Sequence, residues 1–443
     1  AYRLAMLDGQ PRMANVLKQA GLTDSNASLR AGAEVRAQGD FNISNDLKLD
    51  ASARPMNLTV RSKGHLNVQG TVSAGLTTSD SAGKVQAGEG ASLRLVAGAD
   101  LASADANATV QDASPKHITL AGGELIRTTT GSIDVHASGD VRLLAPSASS
   151  TSAIYVTGGL SSLAADEVFA TENTPAAKTR ATGAYNQATF TERGGRLAVS
   201  AGGHVGSFVS VDTVNGQDVY KHQQLTQGTG NYFYHGGNPN AGLLTQRIPV
   251  AWWAGHNEFL QGLGSFGGGN LSVQAGGDVS NLAVVAPTNA RKVLEVDAAG
   301  KVLSGNLKVL NGGDVSVSVG GDIFGGVYFL GRGDGRLSAG GGLLAGADAL
   351  ADGATPTADQ VADPAALLAL IEGQWSVDAV DDLKVSHVYN PTIVPFRFTG
   401  VSGDANLSGN VGGTAAASGL NNQRAAVYYT YSDNAGESMT SLQ

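Results

Sequence analysis

One eleven-residue frame recurs along this chain, and a chain that repeats such a frame has few ways to bury its apolar side chains. The frame reads small residue, x, apolar, x, apolar, x, apolar or Ala, x, small or Asp, polar, apolar. Its clearest copy is GNLSVQAGGDV at 269–279, matched by GDVSVSVGGDI at 313–323, GRLAVSAGGHV at 195–205 and GSIDVHASGDV at 131–141. Weaker copies are ASLRLVAGADL at 91–101 and GQWSVDAVDDL at 373–383, with partial ones from Gly64, from Gly335 and in the first fifty residues. Within a copy, Leu271, Val273 and Ala275 alternate with Asn270, Ser272 and Gln274, which gives one apolar face of period two. Gly276, Gly277 and Asp278 then break the strand, and Val279 resumes the apolar face. An isolated strand of this kind cannot bury its apolar face, but coils stacked at about 4.8 Å gain a hydrogen-bond ladder and a dry core together.

The frame therefore predicts an all-β chain, a right-handed parallel β-helix (β-solenoid) with two loop or helix insertions flanking the shaft. A β-sandwich or barrel also holds many short strands, but it does not need the same corner residues to return. The copies at Ala91 and Gly131 start 40 residues apart and those at Gly269 and Gly313 start 44 apart. Each offset reads as two coils of roughly 20–22 residues. Larger offsets elsewhere call for insertions.

Glycine supplies 61 of the 443 residues without a collagen triplet, which fits a chain with many corners. The chain has no Cys, so disulfides, thiolate metal sites and Cys nucleophiles are excluded. Net charge is −9, and the 29 basic residues are scattered without a stripe, which argues against nucleic acid as a partner. No apolar run approaches a membrane span. The sequence starts at Ala1 without a signal-like segment and stops in strand-like residues, so both ends read as cuts through a longer protein.

The organisation expected is shaft at 1–205, an aromatic-rich insertion at 206–266, shaft at 267–346, a helical insertion at 347–372 and shaft at 373–443. Residues 206–266 hold nine of the chain's 25 aromatic residues, and His204, His222, His235 and His256 lie in or beside them. Tyr220, Tyr232, Tyr234, Trp252 and Trp253 are the candidate ligand-binding residues, because Tyr and Trp faces stack on sugars and loops on rigid scaffolds carry function. The competing reading has these rings folded back over the flank of the shaft, each burying a large apolar area. The segment following Arg247 includes a candidate short helix. In the second insertion, Asp363-Pro364 starts a helix over AALLALIE, with Leu367, Leu368 and Ile371 as its apolar stripe and Gly373 as its stop. A shorter helix is expected from Pro11 to Ala20.

Little catalytic or metal chemistry is visible. Arg332-Gly333-Asp334 is the integrin-ligand tripeptide, although it falls between apparent strands where Gly-Asp corners occur in any case. His222, His235 and His256 lack the close spacing of a zinc site, and no tandem nonapeptide suggests calcium, so no metal or cofactor is expected. Asp381-Asp382 is an adjacent acidic pair of the kind a glycosidase centre would draw on. It occupies a corner of the frame, and strand alternation would part the two carboxylates. A non-enzyme is expected.

At AWWAGHNEFLQGLGSFGGGNLSVQAGGDVSNLAVVAPTNAR (251–291) the chain resembles the large exoproteins of two-partner secretion systems, the filamentous-haemagglutinin-like adhesins. AVYYTYSDNAGESMTSLQ near the end is similar in kind, and the frame extends the resemblance over most of the chain. The resemblance implies secretion through an outer-membrane partner transporter to the bacterial cell surface. It also implies a long β-helical shaft, a glycan or protein receptor, and roles in attachment, aggregation or biofilm. The family's N-terminal secretion domain is not evident, Asn238-Pro239-Asn240-Ala241 only echoes its Asn-Pro-Asn motifs, and no toxin module is visible. The piece reads as shaft. The alternatives are a purely structural filament or spacer, which can self-associate end to end or laterally, and a polysaccharide-active enzyme.

Overall fold

The structure, a computed structural model, describes residues 32–160, 191–222, 229, 232–236, 251–296, 302–346, 365–389 and 391. It also describes strands at 403–410, 430–431, 437–438 and 441–442, and the longer stretches have gaps at 54, 81–82, 111–113, 148–149 and 216. The helix expected at Pro11 to Ala20 and the Asn-Pro-Asn echo lie outside these residues.

The regular structure of the described chain is almost all strand, and most of its strands belong to long parallel sheets. Three parallel ladders are visited in turn. The first runs through Gly32–Ala37, Asn57–Ser62, Leu93–Ala97, Ile133–Ala137, Leu197–Ala201, Leu271–Ala275 and Val315–Val319. It continues through 335–339 and 373–378 to Gly403–Asn410. The second runs through Phe41–Ile43, Leu66–Val68, Ile118–Leu120, Val141–Leu144, 205–208, Val279–Ser280, Ile323–Phe324 and Leu343–Leu344. The third runs from Leu47–Leu49 through Val72–Ala74, Leu125–Thr128, Ser152–Val156, Gln261–Ser265 and Ala283–Ala286. It then passes through 327–330 and 366–369 to Val385–Tyr389. A chain that supplies one strand to each ladder per turn is compatible with a β-helix.

The core follows from the frame. Val60, Leu95, Val135, Val199, Val273, Val317, Leu337 and Val377 fall on one register line, and all are buried. A parallel line runs through Leu93, Ile133, Leu197, Leu271 and Val315 to Gly335, where the side chain disappears. Trp375, next in line and fully buried, fills that space: a Cβ on Gly335 would lie 2.3 Å from its ring. Its indole N–H donates to the Ala369 carbonyl at 3.1 Å, and its ring meets Tyr328 edge-on.

Glycine marks where coils come closest. A Cβ on Gly202 would sit 2.3 Å from the Ser138 carbonyl oxygen, one on Gly276 2.3 Å from that of Gly202, and one on Gly320 2.4 Å from that of Gly276. Gly276→Ala is therefore expected to cost about 1–3 kcal/mol, read as a lower urea midpoint at unchanged slope. Gly39→Ala, where a Cβ meets nothing within 4 Å, serves as the near-neutral control.

The structure corrects several expectations. Leu93 pairs directly with Ile133 and Leu271 with Val315, so the offsets of 40 and 44 residues are single coils, not two. Among the described ladders the shortest coils are 19–20 residues, as from Ala366 to Val385 and from Val315 to Gly335, and the surplus elsewhere leaves the shaft as excursions. One excursion lies inside the stretch read as uninterrupted shaft: Thr288–Val296 and Val302–Asn311 form an antiparallel hairpin. The aromatic insertion is also shorter than expected at both ends, because 205–208 and Gln261–Ser265 belong to the ladders.

The helix expected in the second insertion is absent from its described part. Ala366–Asp382 is one strand that passes from the third ladder into the first through Gly373, whose φ is +134°. Leu368 and Leu370 face the shaft core, while Ala369 and Ile371 join a second apolar cluster on the outer flank. A strand covered on both faces is apolar throughout, and over eight residues that cannot be told from a helical stripe. The remainder of that insertion, 347–364, lies outside the described residues.

The second cluster explains the aromatic insertion. Tyr232, Phe233, Trp252, Ala254, Phe259 and Phe266 pack against Leu125, Ala153, Tyr155, Val285 and Phe329 on the outside of the third ladder. The candidate helix near Trp252 reduces to a single 3-10 turn, His256–Glu258, after the strand Ala251–Ala254. Two buried arginines fasten loops to the shaft. Arg127 donates to Ser73 Oγ, the Tyr155 hydroxyl and the carbonyls of Thr78 and Asp80, and Arg61 reaches the carbonyl of Asp100 and the carboxylate of Glu34.

Candidate functional site

At the corner between the first and second ladders the backbone turns, and the amides there lose their place in a regular ladder. A buried amide must still find an acceptor. The tenth position of the frame supplies it from the preceding coil. The amide of His65 donates to Asp40 Oδ1 at 2.8 Å, that of His117 to His65 Nδ1 at 3.1 Å, and that of Asp140 to His117 Nδ1 at 2.9 Å. The series continues from His204 to Asp140 Oδ1 at 2.8 Å, from Asp278 to His204 Nδ1 at 3.0 Å, from Asp322 to Asp278 Oδ1 at 2.8 Å and from Gly342 to Asp322 Oδ1 at 2.6 Å. Aspartate and histidine side chains thus form a continuous spine up one corner.

The hairpin of Val205–Val214 and Gln217–His222 folds over the middle of this spine. The Tyr220 hydroxyl donates to Asp140 Oδ2 at 2.6 Å. Arg142 donates to the same oxygen through Nε at 3.0 Å and Nη2 at 2.7 Å, and its Nη2 also reaches Asp218 Oδ2. The Arg142 guanidinium lies 5.7 Å from the centre of the Tyr220 ring. His65 and His117 stack with centroids 5.1 Å apart, and His204 meets Tyr220 edge-on at 5.2 Å.

The electrostatics follow from this crowding. Burial alone would raise the Asp140 carboxyl, but the adjacent His117 ring and hydrogen bonds from Tyr220 and the His204 amide hold it well below the usual carboxylate range. Hydrogen bonding to Asp278 raises His204 against its own burial. Burial, helped by the charge of His204, pushes His222 down to about 4. Burial likewise lowers His65, with the neighbouring His117 as the next cause.

Among the described residues, His117, Asp140 and Asp218 bring ligand-type atoms within 4.8 Å of one another. Arg142 already bridges the two carboxylates, and His117 Nδ1 is taken by a backbone amide. The cation this arrangement holds is a guanidinium. The spine carboxylates Asp140, Asp278 and Asp322 each accept an amide of the next coil.

Of the candidate ligand-binding residues whose side chains are described, Tyr220 alone joins this site, and of the four histidines His204 and His222 do. Trp252 and Tyr232 are fully buried and Trp253 nearly so, so none of the three offers an open ring face to a sugar. Tyr234 lies in the strand Phe233–Gly236, and its side chain is outside the described set. Arg332, Gly333 and Asp334 lie within the strand Val327–Ala339, where it passes from the third ladder into the first: Arg332 pairs with Glu372 at 2.8 Å, and Asp334 Oδ1 accepts from Gln374 Nε2 at 3.0 Å. His117, Asp140, Arg142 and Asp218 were not singled out. The signal for Asp140 was present, since it occupies the tenth position of its frame copy, as His204, Asp278 and Asp322 do. At 91–101 the frame misleads, because Asp100 heads an excursion and His117 takes the corner.

Comparison with protein-family models, with curated proteins and with solved structures finds no match to this chain. Among the described residues no helix is long and apolar enough to cross a membrane.

Proposed function

We propose that this chain is a section of a right-handed parallel β-helix that serves as a rigid shaft in a secreted bacterial surface adhesin, with adhesion carried elsewhere in the parent protein. The observation that carries this reading is the register of the three ladders, kept from coil to coil through excursions of very different length. In its described part, the insertion that could have formed a binding face covers the flank: Tyr232, Trp252, Phe259 and Phe266 pack into the second apolar cluster. The integrin-type tripeptide is tied into the coil on both sides of Gly333, which leaves it without the protruding loop a receptor would engage. A glycosidase reading loses support because the spine carboxylates are each occupied by a neighbouring coil. Export through an outer-membrane partner transporter belongs to the same proposal.

The test is a glycan-array and host-cell binding screen of the intact chain, with circular dichroism reporting the fold. Saturable binding to neither, by a folded chain, is the expected result. Saturable glycan binding abolished by Tyr220→Ala, or cell binding abolished by Arg332→Ala, would overturn the shaft reading and make this section adhesive.

A further inference from the structure

Two of the three histidines in the spine stand in the same unusual place. His117 Nδ1 lies 2.9 Å from the amide nitrogen of Asp140 and 3.1 Å from that residue's Oδ2. His204 Nδ1 lies 3.0 Å from the amide nitrogen of Asp278 and 3.2 Å from its Oδ2. One ring nitrogen cannot serve both partners at once. A bare Nδ1 accepts the amide, whereas a protonated Nδ1 donates to the carboxylate and leaves the amide without its acceptor. Where the spine residue is aspartate, as from Asp278 to Asp322 to Gly342, the acceptor has no such alternative state near neutral pH.

At His117 the choice reaches the hairpin. Asp140 Oδ2 is the oxygen that already accepts from Tyr220 and from Nε and Nη2 of Arg142. We propose that His117 and His204 make the corner spine a proton-operated latch, in which protonated His117 competes for Asp140 Oδ2 and loosens the hairpin of Val205–Val214 and Gln217–His222. The charged and titratable groups facing His117 are Asp140, Asp218, Arg142, His65 and the adjacent Lys116. Facing His204 are Asp278 and Asp140, which favour it, and Arg142 and His222, which oppose it, with the Tyr220 ring alongside. His222 is buried against Phe208 and His204 as a neutral ring, so acid also strains the hairpin's own seat.

Hydrogen exchange of the 209–222 amides at pH 7.5 and 5.5, corrected for intrinsic rates, tests the latch. Protection in the intact chain is expected to fall about tenfold at the lower pH, the effect of one proton moved by one pH unit's worth of free energy. Protection of Val315–Val319 and Ile323, where the spine is all aspartate, should stay level. The double variant His117→Asn, His204→Asn supplies a carbonyl acceptor at every pH, the role Asn270 Oδ1 already plays towards the Asp314 amide at 3.1 Å. In that variant the fall should shrink to the part that buried His222 carries. Equal protection of the wild-type hairpin at both pH values, or the same fall in the double variant, would sink the proposal. If the variant does not fold, NMR of wild-type protein labelled at histidine and aspartate decides. The Asp140 and Asp278 amide resonances must titrate with the His117 and His204 rings, and amides that stay fixed overturn the latch.

Discussion

Trp375→Ala is expected to remove about 3–5 kcal/mol of stability, the range for a buried aromatic truncated in a core that cannot collapse around the loss. Collapse is blocked here by position. The ring occupies the space of two register positions, its own and that of Gly335, and the coil spacing is fixed by the ladders on either side. The Ala369 carbonyl would also lose the indole N–H. Denaturant midpoints of Trp375→Ala, Gly335→Leu and the double variant give a cycle that tests the filling argument directly. Gly335→Leu alone should be destabilising, because its Cβ would fall against the indole. In the double variant leucine restores the apolar line, so the combined loss should be well below the sum of the single losses. Strict additivity would mean that Trp375 does not fill the glycine gap.

Asp140→Ala is expected to cost a similar amount, about 3–5 kcal/mol, because it strips one partner from a buried charged network. Arg142 would keep only Asp218, the Tyr220 hydroxyl would lose its acceptor, and the His204 amide would be left unsatisfied. Asp140→Asn should cost less, since an amide oxygen can still accept from His204. The pH dependence has a definite sign. A carboxyl held below its unfolded value stabilises the fold fully above the ordinary carboxylate range, and it gives up that contribution as the pH falls through the lowered value. The gap between wild type and Asp140→Ala, measured by urea midpoints, should therefore persist at pH 5. A gap already closed at that pH would mean that Asp140 is not held in its charged form by this network.

What the sequence revealed, and what it hid, divide along a physical line. The period-two face of Leu271, Val273 and Ala275 and the Gly-Gly-Asp corner are local, and they led to parallel strands of one length in one register. The number of coils was misjudged because sequence spacing does not separate a second coil from an excursion of similar length. The hairpin of Thr288–Val296 and Val302–Asn311 was the excursion mistaken for a coil. Ala366 to Ile371 was misread because burial on both faces erases alternation. The candidate site was hidden for a different reason. Asp140 and Arg142 are neighbours in sequence, but Asp218 and Tyr220 reach them from 76 and 80 residues away. His204 was noticed only as one of a group of histidines, though it sits in the frame position of an aspartate.

The unequal spacing of the coils has an energetic consequence. Leu197 and Leu271 are stacked neighbours 74 residues apart, whereas Val315 and Gly335 are stacked neighbours 20 apart. Closing the longer loop costs only about 1 kcal/mol more in chain entropy, because that cost grows with the logarithm of length. Each seam between coils can therefore absorb dozens of added residues for less than the worth of one buried leucine. Insertion length is then nearly free to drift, provided the departure and return points stay on the same corners. A scaffold of this kind separates two design problems, since its interior answers to register alone while its exterior can be rewritten segment by segment.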